Sequence, residues 1–305
     1  MVIVMPSSPA PVSHYYESQH LGLHYLDWGN HEAPPLILQH GGRDHCRSWD
    51  WVAPHLRDDW HIIAPDLRGH GDSEWSPDGS YGFSQHVLDL ATLIDQLQLF
   101  PVSIIGHSLG AHISLRYAGI YPERVRQLVE IEGAWLRPRK AQARMRMPIA
   151  ERLRDWITSD QALSRREPRH YSSFAEALER MKAENRRLSA VQAEHLTHHG
   201  LKQNADGSFS WKFDNYTRGV APHDVTTAEL QELWGQITCP VLHVYGTDSW
   251  AFSPERIRDL EIIPNTQMAL FENSGHWVHH DQLEGFLAAA KRFLQVPHKA
   301  VGASV

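Results

Sequence analysis

Short apolar runs bounded by turn residues recur through the first 132 positions: Leu23–Trp28, Pro35–Gln39, Trp60–Ala64, Val102–Ile105 and Gln127–Ile131. Each predicts a strand. Several are continuous rather than alternating, the pattern of a mostly parallel sheet whose two faces are both covered by helices. Helical periodicity falls between them. Ser84 is placed to cap a helix with Val87, Leu88, Leu90, Ala91, Ile94 and Leu97 inward, and Ala111–Ala118 predicts a second helix that Tyr121-Pro122 closes. From Arg137 to about Gly200 the strand signal stops, and long amphipathic stretches such as Phe174–Val191 predict helices with Arg-rich faces. Strands resume at Val241–Tyr245 and Met268–Phe271. A last helix is expected over Gln282–Leu294, with Leu283, Phe286, Leu287, Ala290 and Phe293 inward. The opening dozen residues and those after Val296 are expected to fray.

Charge divides the chain in the same place. Between Ala134 and Val225 seventeen Lys and Arg stand against eleven Asp and Glu, a net +6 in a chain of net −7, so the remainder carries −13. The length of 305 residues suits one large α/β domain with an insertion. The expected division is a core of residues 1–133 and 226–305 with a helical cap over 134–225. No apolar stretch reaches spanning length and the N-terminus lacks the pattern of a signal peptide, so a cytoplasmic protein without membrane contact is expected. Cys46 and Cys239 are too few and too far apart for a disulfide framework or a metal set and read as inert core residues. An acidic chain without an aromatic-basic motif also argues against nucleic acid. Oligomeric state is left open.

The chemistry concentrates at Gly106-His107-Ser108-Leu109-Gly110, behind the Val102–Ile105 run and ahead of a helix. Glycines on both sides permit a tight strand-to-helix turn that presents Ser108, and the helix starting at Leu109 offers free amides to developing negative charge. Together with His40-Gly41-Gly42, the segment Pro65-Asp66-Leu67-Arg68-Gly69-His70-Gly71-Asp72-Ser73 and Ser274-Gly275-His276, in that order, the chain resembles the α/β-hydrolase-fold proteins over roughly residues 20–295. The resemblance implies a mostly parallel central sheet flanked by helices, with a helical cap after the sixth strand. It also implies an oxyanion hole built from the amides of Gly42 and Leu109.

A serine hydroxyl attacks well only when a base takes its proton, and His276, on a Gly-containing loop after the last strand, is the base expected here. His107 is expected to be held in its turn by packing. The pair His276 and His280 has helical spacing but lacks the Glu of an HExxH zinc motif, so no metal and no cofactor are expected. The acid that orients His276 stays open between two residues. The commonest family pattern puts an Asp three residues after the glycine ending the seventh strand, yet that count from Gly246 falls on Ser249, with Asp248 one position early. Glu132, after the sixth strand, stands where relatives such as the haloalkane dehalogenases carry their acid, and is preferred. Glu130, two residues earlier on the same run, ranks third.

A serine at position 108 suits acyl transfer, whereas dehalogenases and epoxide hydrolases of this fold need a carboxylate there. The expected activity is therefore that of a carboxylesterase-like serine hydrolase working on a small-molecule acyl substrate. The alternatives are a carbon–carbon hydrolase of the meta-cleavage-product type and a non-catalytic ligand-binding protein on the same fold. Arg137, Arg139, Lys140, Arg144 and Arg146 read as a solvated face, or as a steering patch for an anionic substrate. Arg43, Asp44 and His45 extend the oxyanion loop. Trp135, Trp156, Trp211, Trp234, Trp250 and Trp277 are candidates for lining an acyl pocket or for filling core.

Overall fold

The computed structural model describes residues 10–134, 147–219 and 224–294, with the backbone alone over 254–256. Eight strands form one sheet: β1 (Val12–Ser18), β2 (Leu21–Asp27), β3 (Pro35–Gln39), β4 (His61–Pro65), β5 (Val102–His107), β6 (Val125–Ile131), β9 (Val241–Gly246) and β10 (Thr266–Phe271). Their order is β1-β2-β4-β3-β5-β6-β9-β10. The pairings of β1 with β2 and of β2 with β4 are antiparallel, and all the others are parallel. The continuous apolar runs are the interior strands, and β5 and β9 are buried at every position.

Helices α1 (Phe83–Gln96), α2 (Leu109–Ile120) and α6 (Thr227–Gly235) place Leu90, Leu93, Ile113, Tyr117 and Trp234 in one core with Ile37 and Ile104 of the sheet. On the opposite face α9 (Leu283–Leu294) packs Phe286, Leu287, Ala290 and Phe293 in a second core with Trp49, Leu36, Leu38 and Ile105. Neighbouring positions such as Ile104 and Ile105 fall in different cores because successive strand side chains point to opposite faces.

Between β6 and α6 lie α3 (Ile149–Ser164), α4 (Phe174–Glu184), α5 (Ala190–Gly200) and a hairpin of β7 (Leu201–Gln203) with β8 (Phe209–Trp211). The last two short helices are α7 (Pro254–Asp259) and α8 (Val278–Asp281).

Three expectations need correction. The stretch Phe174–Val191 is not one helix. It ends at Asn185, and Ser189 opens α5 with a reciprocal capping box to Gln192, so local capping chemistry overrides the continuous amphipathic pattern. Ser84 does not cap α1, which starts at Phe83 behind Gly82 without a side-chain cap, and Leu88 is exposed on its outer face rather than turned inward. Val12–Ser18, where no strand is expected, is an ordered edge strand held by its ladder with β2 even though most of its side chains are exposed, while residues 1–9 and those after Val296, expected to fray, lie outside the described residues. Residues 135–146, which include the basic cluster and Trp135, lie outside the described residues. Among those described, no helix is long and apolar enough to cross a membrane.

Candidate active site

The carboxyl ends of β3, β5, β6, β9 and β10 run into five loops on one edge of the sheet, where ligands of open α/β sheets bind. Ser108 follows β5 directly. Its backbone stands at φ 51° and ψ −114°, a region a non-glycine residue enters only when its surroundings enforce it. Here they do: the Ser108 amide donates to Ile131 O at 2.8 Å and its carbonyl accepts from His112 N at 3.0 Å. The flanking glycines are required by contact. A Cβ at Gly110 would stand 2.4 Å from Gln39 O, and one at Gly106 2.7 Å from the backbone of Ala111.

His276 comes from the loop after β10. Ser108 Oγ lies 3.0 Å from its Nε2, and its Nδ1 lies 2.6 Å from Oε2 of Glu132. Glu132 is wholly buried at the end of β6, also at positive φ. Its other oxygen accepts from Gly246 N at 2.8 Å, and the Ser249 hydroxyl donates to Oε2. The carboxylate therefore has three donors besides solvent-free surroundings, the arrangement that keeps a buried charge tolerable. The ring of His276 is thereby fixed as the Nδ1–H tautomer with Nε2 free to accept from Oγ.

Asp248, the other acid considered, points elsewhere. Its exposed carboxylate accepts from Arg187 at 2.6 Å, because the chain after Gly246 turns it outward and brings Ser249 inward instead. Glu130 is engaged across the sheet by His243 at 2.8 Å and by Ala134 N at 2.7 Å.

His107 does more than pack in its turn. Its Nε2–H donates to the His276 carbonyl at 2.9 Å, tying the His276 loop to the serine turn. Burial, then the neighbouring His276, holds it neutral, with its pKa far below the usual imidazole value. His40 plays a matching part for the Gly41-Gly42 loop: Nδ1–H donates to Gly41 O at 2.7 Å while Nε2 accepts from Leu67 N at 2.9 Å. Burial lowers its pKa to about 3. Neither role has a sequence signal beyond adjacency to a glycine motif, since both partners are distant backbone atoms.

The Asp66–Ser73 segment braces the same loop. Asp66 accepts from Cys46 N at 2.7 Å, from Asp72 N at 3.0 Å and from His24 Nδ1 at 2.7 Å. Burial alone would raise its pKa, but the His24 hydrogen bond and the nearby His40 outweigh it and pull it below the usual carboxylate range. Cys46 and Cys239 are both buried and free, and burial pushes the Cys239 thiol up to about 12.

Gly42, Leu109, Ser108 and His276 line one cavity of about 1010 Å³. Leu109 is the first residue of α2, so its amide has no acceptor within the helix. Arg43, Asp44 and His45 line the cavity too, as do Trp211, Trp250 and Trp277. Trp250 lies 4.8 Å from the His276 ring. Trp234 instead fills core beneath α6, and Trp156 is half-buried on α3. Among the described residues, three His, Cys and carboxylate groups elsewhere, such as Asp50 with His195 and His199, bring possible metal-ligand atoms within 4.8 Å of one another. None of them includes Ser108, His276 or Glu132. An imidazole held between a hydroxyl and a buried carboxylate can take up and return a proton, which is the requirement of serine-based acyl transfer.

An open parallel sheet with this edge defines a hydrolase-type α/β architecture, and the comparisons agree. Residues 34–283 match the α/β hydrolase fold family, and the chain belongs to that family. A zebrafish (Danio rerio) serine hydrolase-like protein is 31% identical over 188 residues, 61% of this chain and 57% of that protein. The human serine hydrolase-like protein 2 is 24% identical over 288 residues, covering 89% of this chain and 90% of its own. The 2-hydroxy-6-oxo-2,4-heptadienoate hydrolase of Pseudomonas putida is 25% identical over 281 residues, or 89% of this chain and 91% of that one. Among solved structures, the thioesterase domain from the curacin biosynthetic pathway superposes with a TM-score of 0.82 at 21% identity, over 93% of this chain and all of that domain. These similarities place the protein among the hydrolases of this fold.

Proposed function

We propose that the protein is a serine hydrolase that cleaves an acyl ester through an acyl-enzyme intermediate. The observation that carries this reading is the series Ser108 Oγ to His276 Nε2 at 3.0 Å and His276 Nδ1 to Glu132 at 2.6 Å. Ser108 attacks the carbonyl while His276 takes its proton. Negative charge develops on the former carbonyl oxygen, and the amides of Gly42 and Leu109 receive it, each donor lowering the barrier by roughly 3 kcal/mol. His276 then protonates the leaving alcohol. Water enters, loses a proton to the same imidazole, and releases the acid from Ser108. Glu132 holds the ring in the required tautomer and offsets the charge of the imidazolium. The strained Ser108 backbone keeps Oγ on the cavity wall beside His276 throughout.

The test is labelling by a fluorophosphonate followed by hydrolysis of p-nitrophenyl esters of increasing acyl length. Wild-type protein should be modified at Ser108 and should turn over the esters, and Ser108→Ala should lose both. An unmodified, folded wild-type protein would leave a ligand-binding role on the same fold. A second reading, carbon–carbon cleavage, draws on the similarity to the Pseudomonas putida hydrolase over most of both chains. Turnover of a vinylogous diketone in the absence of ester hydrolysis would favour it.

A further inference from the structure

The wall of the cavity carries more cationic charge than its own carboxylates neutralise. Glu184 pairs with Arg180. Arg187 engages Asp248 at 2.6 Å and lies 4.0 Å from Asp281, and Lys212 reaches Asp72 at 2.6 Å. Asp44 is buried and accepts from His45 N and the Ser48 hydroxyl. Arg43, Arg166, Arg186 and Arg218 are what remains: all four line the cavity, and among the described residues no carboxylate lies within ion-pair distance of them; of these, Arg43 and Arg166 are the cations that act on Arg218.

Their positions are built rather than incidental. Arg43 follows Gly42 directly and is held at φ 61°. Arg218 ends the short 3-10 turn Asn215–Arg218, and Asn215 of that turn donates to the Arg166 carbonyl at 3.1 Å. The same turn is fastened to the core, since Asp214 N donates to Gly69 O at 2.9 Å and Tyr81 Oη donates to Asp214 Oδ2 at 2.6 Å. Burial first, then Arg43 and Arg166, lowers the proton affinity of the Arg218 guanidinium, with Glu184 acting the other way, and the guanidinium head stands 5.5 Å over the Phe213 ring. Like charges on a cavity wall that has fewer carboxylates than cations raise the energy of the site, and an anion entering it relieves that repulsion.

We infer that Arg43, Arg166 and Arg218 form a subsite for an anionic group on the substrate, a carboxylate or a phosphate, which makes the preferred substrate an acid-bearing acyl ester. This substrate class rests on the hydrolase reading, whereas the anion subsite itself does not. It differs from the steering patch expected at Arg137–Arg146, because it uses guanidinium groups lining the same cavity as Ser108.

The kinetic test compares matched aryl esters whose acyl chains end in a methyl group, a carboxylate or a phosphate, using wild type, Arg43→Gln, Arg166→Gln, Arg218→Gln and the charge-retaining Arg218→Lys. The readout is the ratio of kcat/KM for the anionic ester to that for the neutral one. It should exceed one in wild type, fall about tenfold or more in Arg218→Gln, fall less in Arg218→Lys, and decline with added salt. The larger ratio of the two anionic esters identifies the group. A ratio that is the same in every variant overturns the subsite. Calorimetric titration of Ser108→Ala with glutarate and with inorganic phosphate separates the two claims. Binding that weakens tenfold on adding Arg218→Gln, in a wild type that hydrolyses none of the esters, keeps the subsite and removes the hydrolase reading. Ester turnover with no anion binding does the reverse.

Discussion

Glu132 and Asp248 are two carboxylates within reach of one loop cluster, and their surroundings separate them. Glu132 is buried with donors from Gly246, Ser249 and His276, whereas Asp248 is exposed beside Arg187. The position where the common pattern of the family places an Asp is Ser249, and its hydroxyl donates to the Glu132 carboxylate. Glu132→Gln should therefore lower kcat by roughly 10²–10⁴ with the fold intact, as expected when an imidazole loses its orienting acid. Asp248→Asn removes only an exposed ion pair, worth about 0–1 kcal/mol, and should change turnover by less than tenfold. Steady-state kinetics with circular dichroism on both variants checks this. An equal loss in the two would remove Glu132 from its role. Ser108 and His276 were legible because each lies in a local motif with glycines around it. The acid was not, because a count along the chain does not report which way one residue turns after Gly246.

At the scale of elements, the serine turn works because β3, β5 and α2 approach so closely that no side chain fits between them. Gly110→Ala puts a methyl group 2.4 Å from Gln39 O and 2.5 Å from His40 O, both backbone atoms that β3 holds in place. Relief requires α2 to move off the sheet. We expect loss of soluble protein or a fall in Tm of many degrees, together with loss of fluorophosphonate labelling, measured by thermal unfolding and gel-based labelling. Unchanged melting and labelling would show that the turn is more pliant than its contacts imply. The interior strands were readable because residues that face helices on both sides must be apolar throughout. The break between α4 and α5 was harder, since Ser189 and Gln192 act through a capping box that leaves the amphipathic pattern uninterrupted. The edge strand β1 was missed because four of its first five residues face solvent and carry no hydrophobic alternation.

For the whole molecule, buried neutral histidines set the response to acid. Burial lowers the pKa of His40 to about 3, of His70 to about 4 and of His280 to about 3, against 6.5 for the free side chain. Above pH 6.5 these groups are neutral folded or unfolded, so they exert no pull. Below it the unfolded chain binds protons that the folded chain refuses, and stability falls by up to ~1.4 kcal/mol per pH unit for each such group as pH drops toward the folded values. Tm measured between pH 8 and pH 4 should be nearly flat at the upper end and decline steeply below about pH 6.5. Replacing His40 by Gln, which cannot take up a proton, should make that decline shallower. A flat profile to pH 4 would show that these rings are more hydrated than their burial indicates.

The sequence by itself determined the sheet-and-helix alternation, the tight turn that presents Ser108 and the loop that carries His276. These follow from periodicity and from glycines at fixed spacing, which act over a few residues. Only the tertiary structure decided that the His276 ring facing Ser108 rests on Glu132, that His40 and His107 lock two loops through carbonyl and amide groups, and that Arg43, Arg166 and Arg218 line one cavity. The hydrogen bonds among them join residues as far as 169 positions apart in the chain, as His107 and His276 are, and hydrogen bonds and charges depend on distance in space.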